Sequence, residues 1–306
     1  MNGGLKLGTR GSPLALAQAR KVAAALETAQ RWPAGYVRIV PVKTSGDQVQ
    51  DRPLAEIGGK ALWTKDLVVA LLNREVDFCV HSMKDVESVR PAEIHLAAMR
   101  PRGDVRDRLI GAASIDALPL GATVGTSSPR RAAQLRAMRP DLKIVPLRGN
   151  VQTRLAKVEA GEVDATLLAA AGLKRLGLTN VGVPIPVEIL LPAPGQGALG
   201  LECRTDDIMT QGVLTTVNNE ITFWAVQAER AFTRALNASC HSPVAALAVL
   251  DDGELHIRAQ LFSEDGSEMV EDKAEFECGD DGCPGELALR MLKGAPPSIR
   301  SLFAPL

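Results

Sequence analysis

Two side chains in this sequence have the character of chemistry, and a set of arginines has the character of binding. Cys240 lies in Asn237-Ala238-Ser239-Cys240-His241-Ser242-Pro243, a small-residue turn between a helical pattern and a strand-like one. An exposed thiol there serves as a nucleophile or as an attachment point. The plainer alternative is a half-buried structural cysteine. His241 is a poor base for it, because neighbouring side chains diverge. Asp85 closes His81-Ser82-Met83-Lys84-Asp85, directly after the apolar run Phe78–Val80. A carboxylate at a strand end relays protons or steadies a cation, although on their own Lys84 and Asp85 fit an ordinary loop equally well.

The arginines are oddly placed. Ser128 has the position of a helix cap, Pro129 the first helical position, and Arg130 and Arg131 the first turn. A helix N-terminus already carries partial positive charge and unpaired N–H groups, so two guanidinium groups there oppose the dipole unless an anion sits among them. Arg10 stands just before a second helix of the same kind, with Ser12 as cap and Pro13 following. Arg148 precedes Gly149-Asn150, Arg154 lies in the next helix, and Arg175 follows the run Leu167 to Gly172. Any one of them reads most simply as a solvated basic residue. As a set, at helix starts and strand ends, they favour a polyanionic ligand, since guanidinium forks suit carboxylates and phosphates.

The elements that must hold these groups alternate from Leu5 to about Leu191, which reads as α/β. Strands are expected at Val37–Val42, Phe78–Val80, Thr123–Gly125, Ile144–Leu147 and Ala165–Ala169. Helices are expected at Ser12–Leu26, Lys65–Asn73, Ala132–Met138 and Val151–Ala160. Two stretches look alike. Gly8-Thr9-Arg10-Gly11-Ser12-Pro13 and Gly125-Thr126-Ser127-Ser128-Pro129 each open a helix, and Glu75-Val76-Asp77 and Glu162-Val163-Asp164 each lead into a strand. Two similarly built domains facing each other across a cleft explain this; chance similarity of short segments is the competitor. The pattern breaks at 99–104 and again at 191–195. Beyond about Asn218 a third region follows, with a helix over Phe223–Leu236, strands at Val244–Leu250 and Glu254–Phe262, and a loop over Cys278–Gly285 before a last short helix. The polar stretch Lys43–Lys60 is a candidate mobile loop.

Composition excludes several classes. A net charge of -1 gives the whole molecule no reason to seek nucleic acid or a membrane surface. No apolar run is long enough to span a bilayer, and the N-terminus does not read as a signal peptide. Five scattered cysteines are unlike a disulfide framework and agree with the cytoplasm. Cys278 and Cys283 lack the partners of a zinc site, so no metal is expected. Gly195-Gln196-Gly197-Ala198-Leu199-Gly200 has the letters of a dinucleotide fingerprint, but it follows Pro-Ala-Pro and leads into a strand-like run, so that reading fails. His95 and His256 look like ordinary strand residues.

Taken together, these pieces resemble the hydroxymethylbilane synthase (porphobilinogen deaminase) family. The matching motifs run from Leu7 to about Val249. They are Thr9-Arg10-Gly11-Ser12-Pro13-Leu14-Ala15-Leu16, Gly58-Gly59-Lys60, His81-Ser82-Met83-Lys84-Asp85-Val86, Gly125 to Arg131, Leu147-Arg148-Gly149-Asn150-Val151, Ala169 to Gly177 and Pro194 to Gly200. The resemblance implies an α/β fold of three domains. Two periplasmic-binding-protein-like α/β domains surround a cleft, and a smaller α/β C-terminal domain carries the cofactor cysteine. The boundaries are drawn at 1–99 with 198–217, at 103–193 and at 218–306.

The implied reaction condenses four porphobilinogen molecules head to tail, with loss of ammonia, on a dipyrromethane cofactor held by Cys240 through a thioether. Hydrolysis then releases hydroxymethylbilane for haem and porphyrin biosynthesis. By resemblance Asp85 is the catalytic residue. Lys84, Ser128, Arg130, Arg131 and Arg148 would contact the cofactor; Arg10, Arg154, Arg175 and Lys60 would bind substrate carboxylates. A cytoplasmic monomer is the family expectation. The chain departs from the family at Ala238-Ser239, where Gly-Gly is usual, at His241-Ser242-Pro243 in place of Gln-Val-Pro, at Glu87 in place of a proline, and at Trp63 in place of a phenylalanine. The glycine losses bear on the turn's backbone, since glycine supplies positive φ. Two alternatives compete: an organic-anion binding protein of periplasmic-binding-like fold, which leaves Cys240 unexplained, and a thiol hydrolase, which lacks a recognisable histidine partner.

Overall fold

A computed structural model describes residues 4–43 and 64–303. The chain divides into two compact units, one of Met1–Arg102 with Ala198–Phe223 and one of Gly103–Gly197 with Trp224–Leu306. Lys60, Trp63 and most of the stretch Lys43–Lys60 lie outside the described residues.

The first unit is built on a five-stranded sheet of β1 (Lys6–Arg10), β2 (Arg38–Val42), β3 (Phe78–Ser82), β4 (Ile94–Met99) and β10 (Leu199–Arg204), in the order β2-β1-β3-β10-β4. β1 pairs in parallel with β2 and β3, while β10 runs antiparallel between β3 and β4. The second unit holds a sheet of β5 (Asp107–Ile110), β6 (Thr123–Gly125), β7 (Lys143–Val145), β8 (Ala165–Ala169) and β9 (Val183–Pro184), in the order β7-β6-β8-β5-β9. Here β6 is parallel to β7 and β8, and β5 is the antiparallel insert. The two layouts are the same, strand for strand. The likeness of Gly8–Pro13 to Gly125–Pro129 therefore reflects a repeated topology, in which the turn after the central parallel strand opens a capped helix. Each layout is a mixed α/β sheet with βα turns gathered at the carboxyl ends of its parallel strands.

Each sheet closes on its own core. Leu7, Phe78, Leu201 and Leu26 are buried in the first, and Leu109, Val124, Leu135 and Leu167 in the second. Side chains of this size contribute roughly 1.5–3 kcal/mol each on burial. The second unit also contains an antiparallel sheet of β11 (Val244–Asp251), β12 (Glu254–Phe262) and β13 (Met269–Glu277). Its core joins Phe232 of helix Glu220–Ala235 to Leu255, Ile257 and Leu287 of helix Gly282–Gly294.

Sequence expectation and structure differ at the edges of these elements. Helix Glu220–Ala235 begins before Phe223, because Asn219 Oδ1 accepts from Thr222 N at 2.9 Å and starts it there. The stretch Cys278–Gly285 is not all loop: helix Gly282–Gly294 starts inside it, with Asp280 Oδ1 accepting from the backbone N–H groups of Gly282 and Cys283. Gly195–Gly200 leads into β10 and not into a helix, so the dinucleotide reading is excluded by geometry as well as by sequence.

Candidate functional site

In the first unit, Arg10 ends β1 and His81 and Ser82 end the adjacent parallel strand β3. Parallel pairing thus brings the two strand ends to one side of the sheet. Helix Pro13–Gln30 starts beside them, with Ser12 Oγ accepting from Ala15 N at 3.3 Å and Pro13 in the first turn. A single 3-10 turn, Met83–Asp85, carries the half-buried Asp85 forward from β3. The result is a small pocket whose lining includes Arg10, Ser12, Gln18, Thr64, His81 and Asp85. One carboxylate and one guanidinium share it, a pairing suited to a substrate that carries carboxylates and develops positive charge. Lys84 is half-buried in the same turn.

Behind the pocket lies a buried ionic chain that no motif announced. His81 Nε2 faces Glu202 Oε2 at 3.1 Å, and Arg90 grips both oxygens of Glu202 at 2.8 and 2.7 Å. Arg90 also donates to Glu87 Oε2 at 2.7 Å, which accepts from the hydroxyl of Thr64 at 2.9 Å. Glu87, a departure from the usual proline, is thus tied to a residue of the pocket wall. Burial pushes the Glu202 carboxyl up, but the neighbouring His81 and the bidentate Arg90 outweigh it and hold it at about 2.

The consequence for stability has a definite sign. The unfolded carboxyl titrates near 4.5 and the folded one near 2. Glu202 therefore stabilises the fold fully above pH 4.5, and this contribution is lost as pH falls from there towards 2. The shift corresponds to on the order of 3 kcal/mol. Urea unfolding followed across that range is expected to show the loss, and Glu202→Gln is expected to flatten it; equal slopes for both proteins would remove Glu202 from the account.

In the second unit, the carboxyl ends of β6, β7 and β8 collect the remaining arginines. Ser128 caps helix Pro129–Met138, its Oγ accepting from Arg131 N at 3.4 Å. Arg148 follows β7, and Gly149 bends the chain at φ 111, where a Cβ would sit 2.7 Å from Thr153 Cγ2. Asn150 then caps helix Val151–Glu159, which carries the half-buried Arg154, whose Nε donates to Gly149 O at 3.0 Å. Arg175 ends helix Ala170–Arg175 after β8 and donates to Gly197 O at 2.5 Å; burial pushes its guanidinium down to about 10.

The anion expected among Arg130 and Arg131 is in part the protein's own. Asp107, at the start of β5 and fully buried, accepts from Arg130 Nη2 at 2.7 Å and from Arg131 Nη2 at 2.6 Å. Burial pushes its carboxyl up, but the charges of Arg131 and Arg130 prevail and hold it well below the usual carboxylate range. Sequence reading missed Asp107, although a lone acid opening an apolar strand was the available signal. The site residues missed in the first unit, Glu202 above all, carry the same mark: Glu202 is the acid within Leu199-Gly-Leu-Glu-Cys203.

Cys240 is exposed on the turn between helix Glu220–Ala235 and β11. That turn does not need the usual glycines. Its left-handed residue is Asn237, at φ 50, whereas Ala238 and Ser239 are not among the positive-φ positions. Two serines clasp it: Ser239 N donates to Ser242 Oγ at 3.1 Å, and His241 N to Ser239 Oγ at 3.2 Å.

Comparison with known proteins decides what this assembly is. Residues 5–212 match the family model of the porphobilinogen deaminase dipyromethane cofactor binding domain, and residues 223–293 that of the porphobilinogen deaminase C-terminal domain. The chain belongs to the porphobilinogen deaminase family. The porphobilinogen deaminase of Sphingopyxis alaskensis is 53% identical over 98% of this chain and 96% of its own. That of Paracoccus denitrificans is 46% identical over 96% and 95%. Among solved structures, the periplasmic VFT2 domain of Bordetella pertussis BvgS matches at TM-score 0.40 and 15% identity, covering 70% of this chain and 86% of that one.

As a member of the porphobilinogen deaminase family the chain is a transferase of tetrapyrrole biosynthesis whose cofactor is dipyrromethane. Its residues fit that group. Arg130 Nε, Arg131 Nε and Arg148 Nη1 are buried with no hydrogen-bond partner among the described residues. Arg130 and Arg131 share the one carboxylate of Asp107, which leaves guanidinium N–H groups suited to a ligand bearing carboxylates. Among the described residues, no helix is long and apolar enough to cross a membrane, and no group of His, Cys, Asp and Glu forms a metal site.

Proposed function

We propose that this chain runs the family reaction with Asp85 as its catalytic residue and Cys240 as the anchor of the cofactor, in the cytoplasm and as a monomer. Each cycle breaks the aminomethyl C–N bond of one porphobilinogen and releases ammonia, leaving a cationic azafulvene. Asp85, beside Arg10, faces that cation with a negative charge and afterwards accepts the proton that the new C–C bond displaces. When bound, the dipyrromethane supplies the nucleophilic pyrrole carbon that begins the chain. Arg130, Arg131, Arg148, Arg154 and Arg175 hold acetate and propionate side chains, with Ser128 and Lys84 in support, and Arg10 orients the incoming substrate; Lys60 belongs to the same substrate-binding set by resemblance. Four condensations and addition of water release hydroxymethylbilane. The division into domains at 1–99 with 198–217, 103–193 and 218–306 is supported by the three separate sheets.

The observation that carries this reading is an exposed thiol in the same compact unit as three buried guanidinium N–H groups that lack hydrogen-bond partners among the described residues. A protein that only captured an organic anion would use the arginines and leave the thiol without work. Intact mass of the purified chain, beside Cys240→Ser, tests the anchor. The expected result is an added mass of two linked pyrroles in the parent and none in the variant. Added mass retained by Cys240→Ser would move the anchor elsewhere.

A further inference from the structure

The segment Leu191-Pro192-Ala193-Pro194-Gly195-Gln196-Gly197 has no regular structure, yet groups from across the second unit converge on it. Leu191 O accepts from Arg130 Nη1 at 2.7 Å and from Gln134 Nε2 at 3.0 Å. Gly197 O accepts from Arg175 Nη2 at 2.5 Å and from Gly103 N at 3.1 Å. Gln196 Nε2 donates to Val105 O at 2.7 Å and to Asp107 Oδ1 at 3.0 Å, the oxygen that also holds Arg131. Gly197 is at φ +85, where an added Cβ would meet Gly103 O at 2.6 Å, so the close approach requires glycine.

The other side of the segment is tied to the C-terminal sheet. β11 is an edge strand, and its amides need partners beyond β12. Ala246 N donates to Pro192 O at 3.2 Å, and Ala248 N to Glu229 Oε1 at 2.8 Å. The second oxygen of Glu229 accepts from Gly195 N at 2.6 Å. Glu229, on helix Glu220–Ala235, is fully buried. Packing alone would be served by an apolar side chain, since burying a carboxylate is expensive unless its oxygens are satisfied. Glu229 spends one oxygen on β11 and the other on the segment that two arginines grip. β11 begins four residues after Cys240.

We infer that Glu229 is a positioning residue for the condensation: through segment 191–197 it sets Arg130, Arg131 and Arg175 at a fixed offset from the strand that follows Cys240. This rests on the reading of those arginines as carboxylate ligands and of Cys240 as the anchor. A chain that grows by one carboxylate-bearing ring per cycle needs that offset held, because displacement of about 1 Å costs on the order of 100-fold in rate.

The test uses the full-length enzyme carrying its cofactor. Glu229→Gln keeps shape and one acceptor but turns an amide N–H toward a backbone N–H. Gln196→Ala loosens the same segment from the side of Asp107. Intact mass before substrate is added shows whether the cofactor is present, and its absence from the unaltered enzyme would strike the underlying reading together with this one. With porphobilinogen added, both variants are expected to hold shorter enzyme-bound chains than the parent and to show kcat lowered at least 10-fold for Glu229→Gln, with Gln196→Ala weaker in the same direction. A Glu229→Gln enzyme with a lower melting temperature but the parent's KM, kcat and chain-length distribution would reduce Glu229 to a structural role and overturn the inference. Should Glu229→Gln not fold, Gln196→Ala decides alone: a shift to shorter chains supports the inference, and parent-like values overturn it.

Discussion

Asp85→Ala is expected to cut turnover at least about 1,000-fold while the protein melts within a few degrees of the parent. The two halves of that expectation have separate causes. Asp85 is half-buried at the end of a one-turn 3-10 helix whose closing bond, Val86 N to Met83 O at 3.1 Å, is made by backbone alone. Alanine keeps that bond. What it removes is the carboxylate that shares a pocket with Arg10, which in the proposed mechanism is both the counter-charge to the cation and the acceptor for the displaced proton. Asp85→Glu retains the charge at a displaced position and is expected to fall between parent and alanine; Asp85→Asn retains shape without charge and should resemble alanine. Single-turnover ammonia release beside a thermal melt reads both quantities. Parent-like release by Asp85→Ala would end the assignment.

The second large effect is on stability. Asp107→Asn is expected to lower the unfolding free energy by about 3–5 kcal/mol, the range for removing one partner from a buried ion pair. Arg130 and Arg131 are 3% and 6% exposed and share this one carboxylate, so the amide leaves two buried charges without compensation. The pH arm has a fixed sign. The Asp107 carboxyl is held below its usual value of 3.8, so its contribution is complete above that pH and is lost as pH falls below it. The variant should show no such loss. Denaturant unfolding at neutral and acid pH makes the measurement, and a change under about 1 kcal/mol would mean that the arginines are stabilised by other contacts.

Much of this molecule was legible in its residues, and the failures have physical reasons. β6 and β8 were placed to the residue, because a Val- or Leu-rich run between turn signals has few other uses. β13 was missed because Met269–Glu277 carries Glu, Asp and Lys through the strand, with only Phe276 buried, and charge masked the alternation. At the site, the caps Ser12 and Ser128 announced where helices begin, and with them where Arg10, Arg130 and Arg131 stand. Their partners stayed hidden. Asp107, Glu202 and Glu229 each lie far along the chain from the groups they hold, and no spacing rule links Glu229 to Gly195 or Asp107 to Arg131. The puzzle of two arginines at a helix start was posed correctly by the sequence, but half of its answer was an internal acid.

The shared strand order also governs the way the chain can be made. Among the described residues β10 alone bridges β3 and β4 in the first sheet, and its residues, Leu199–Arg204, are synthesised after the described strands of the second sheet. While the ribosome works through residues 100–198, β3 and β4 each present an unpaired edge to whatever is nearby. The second sheet has no such wait, because its inserted strand, β5, comes first. A vectorial order follows, in which the later half of the repeat completes its sheet first and the earlier half is sealed last. Nascent chains stalled short of residue 199 should therefore be the form that most needs a chaperone, and the return of six residues is what relieves that need.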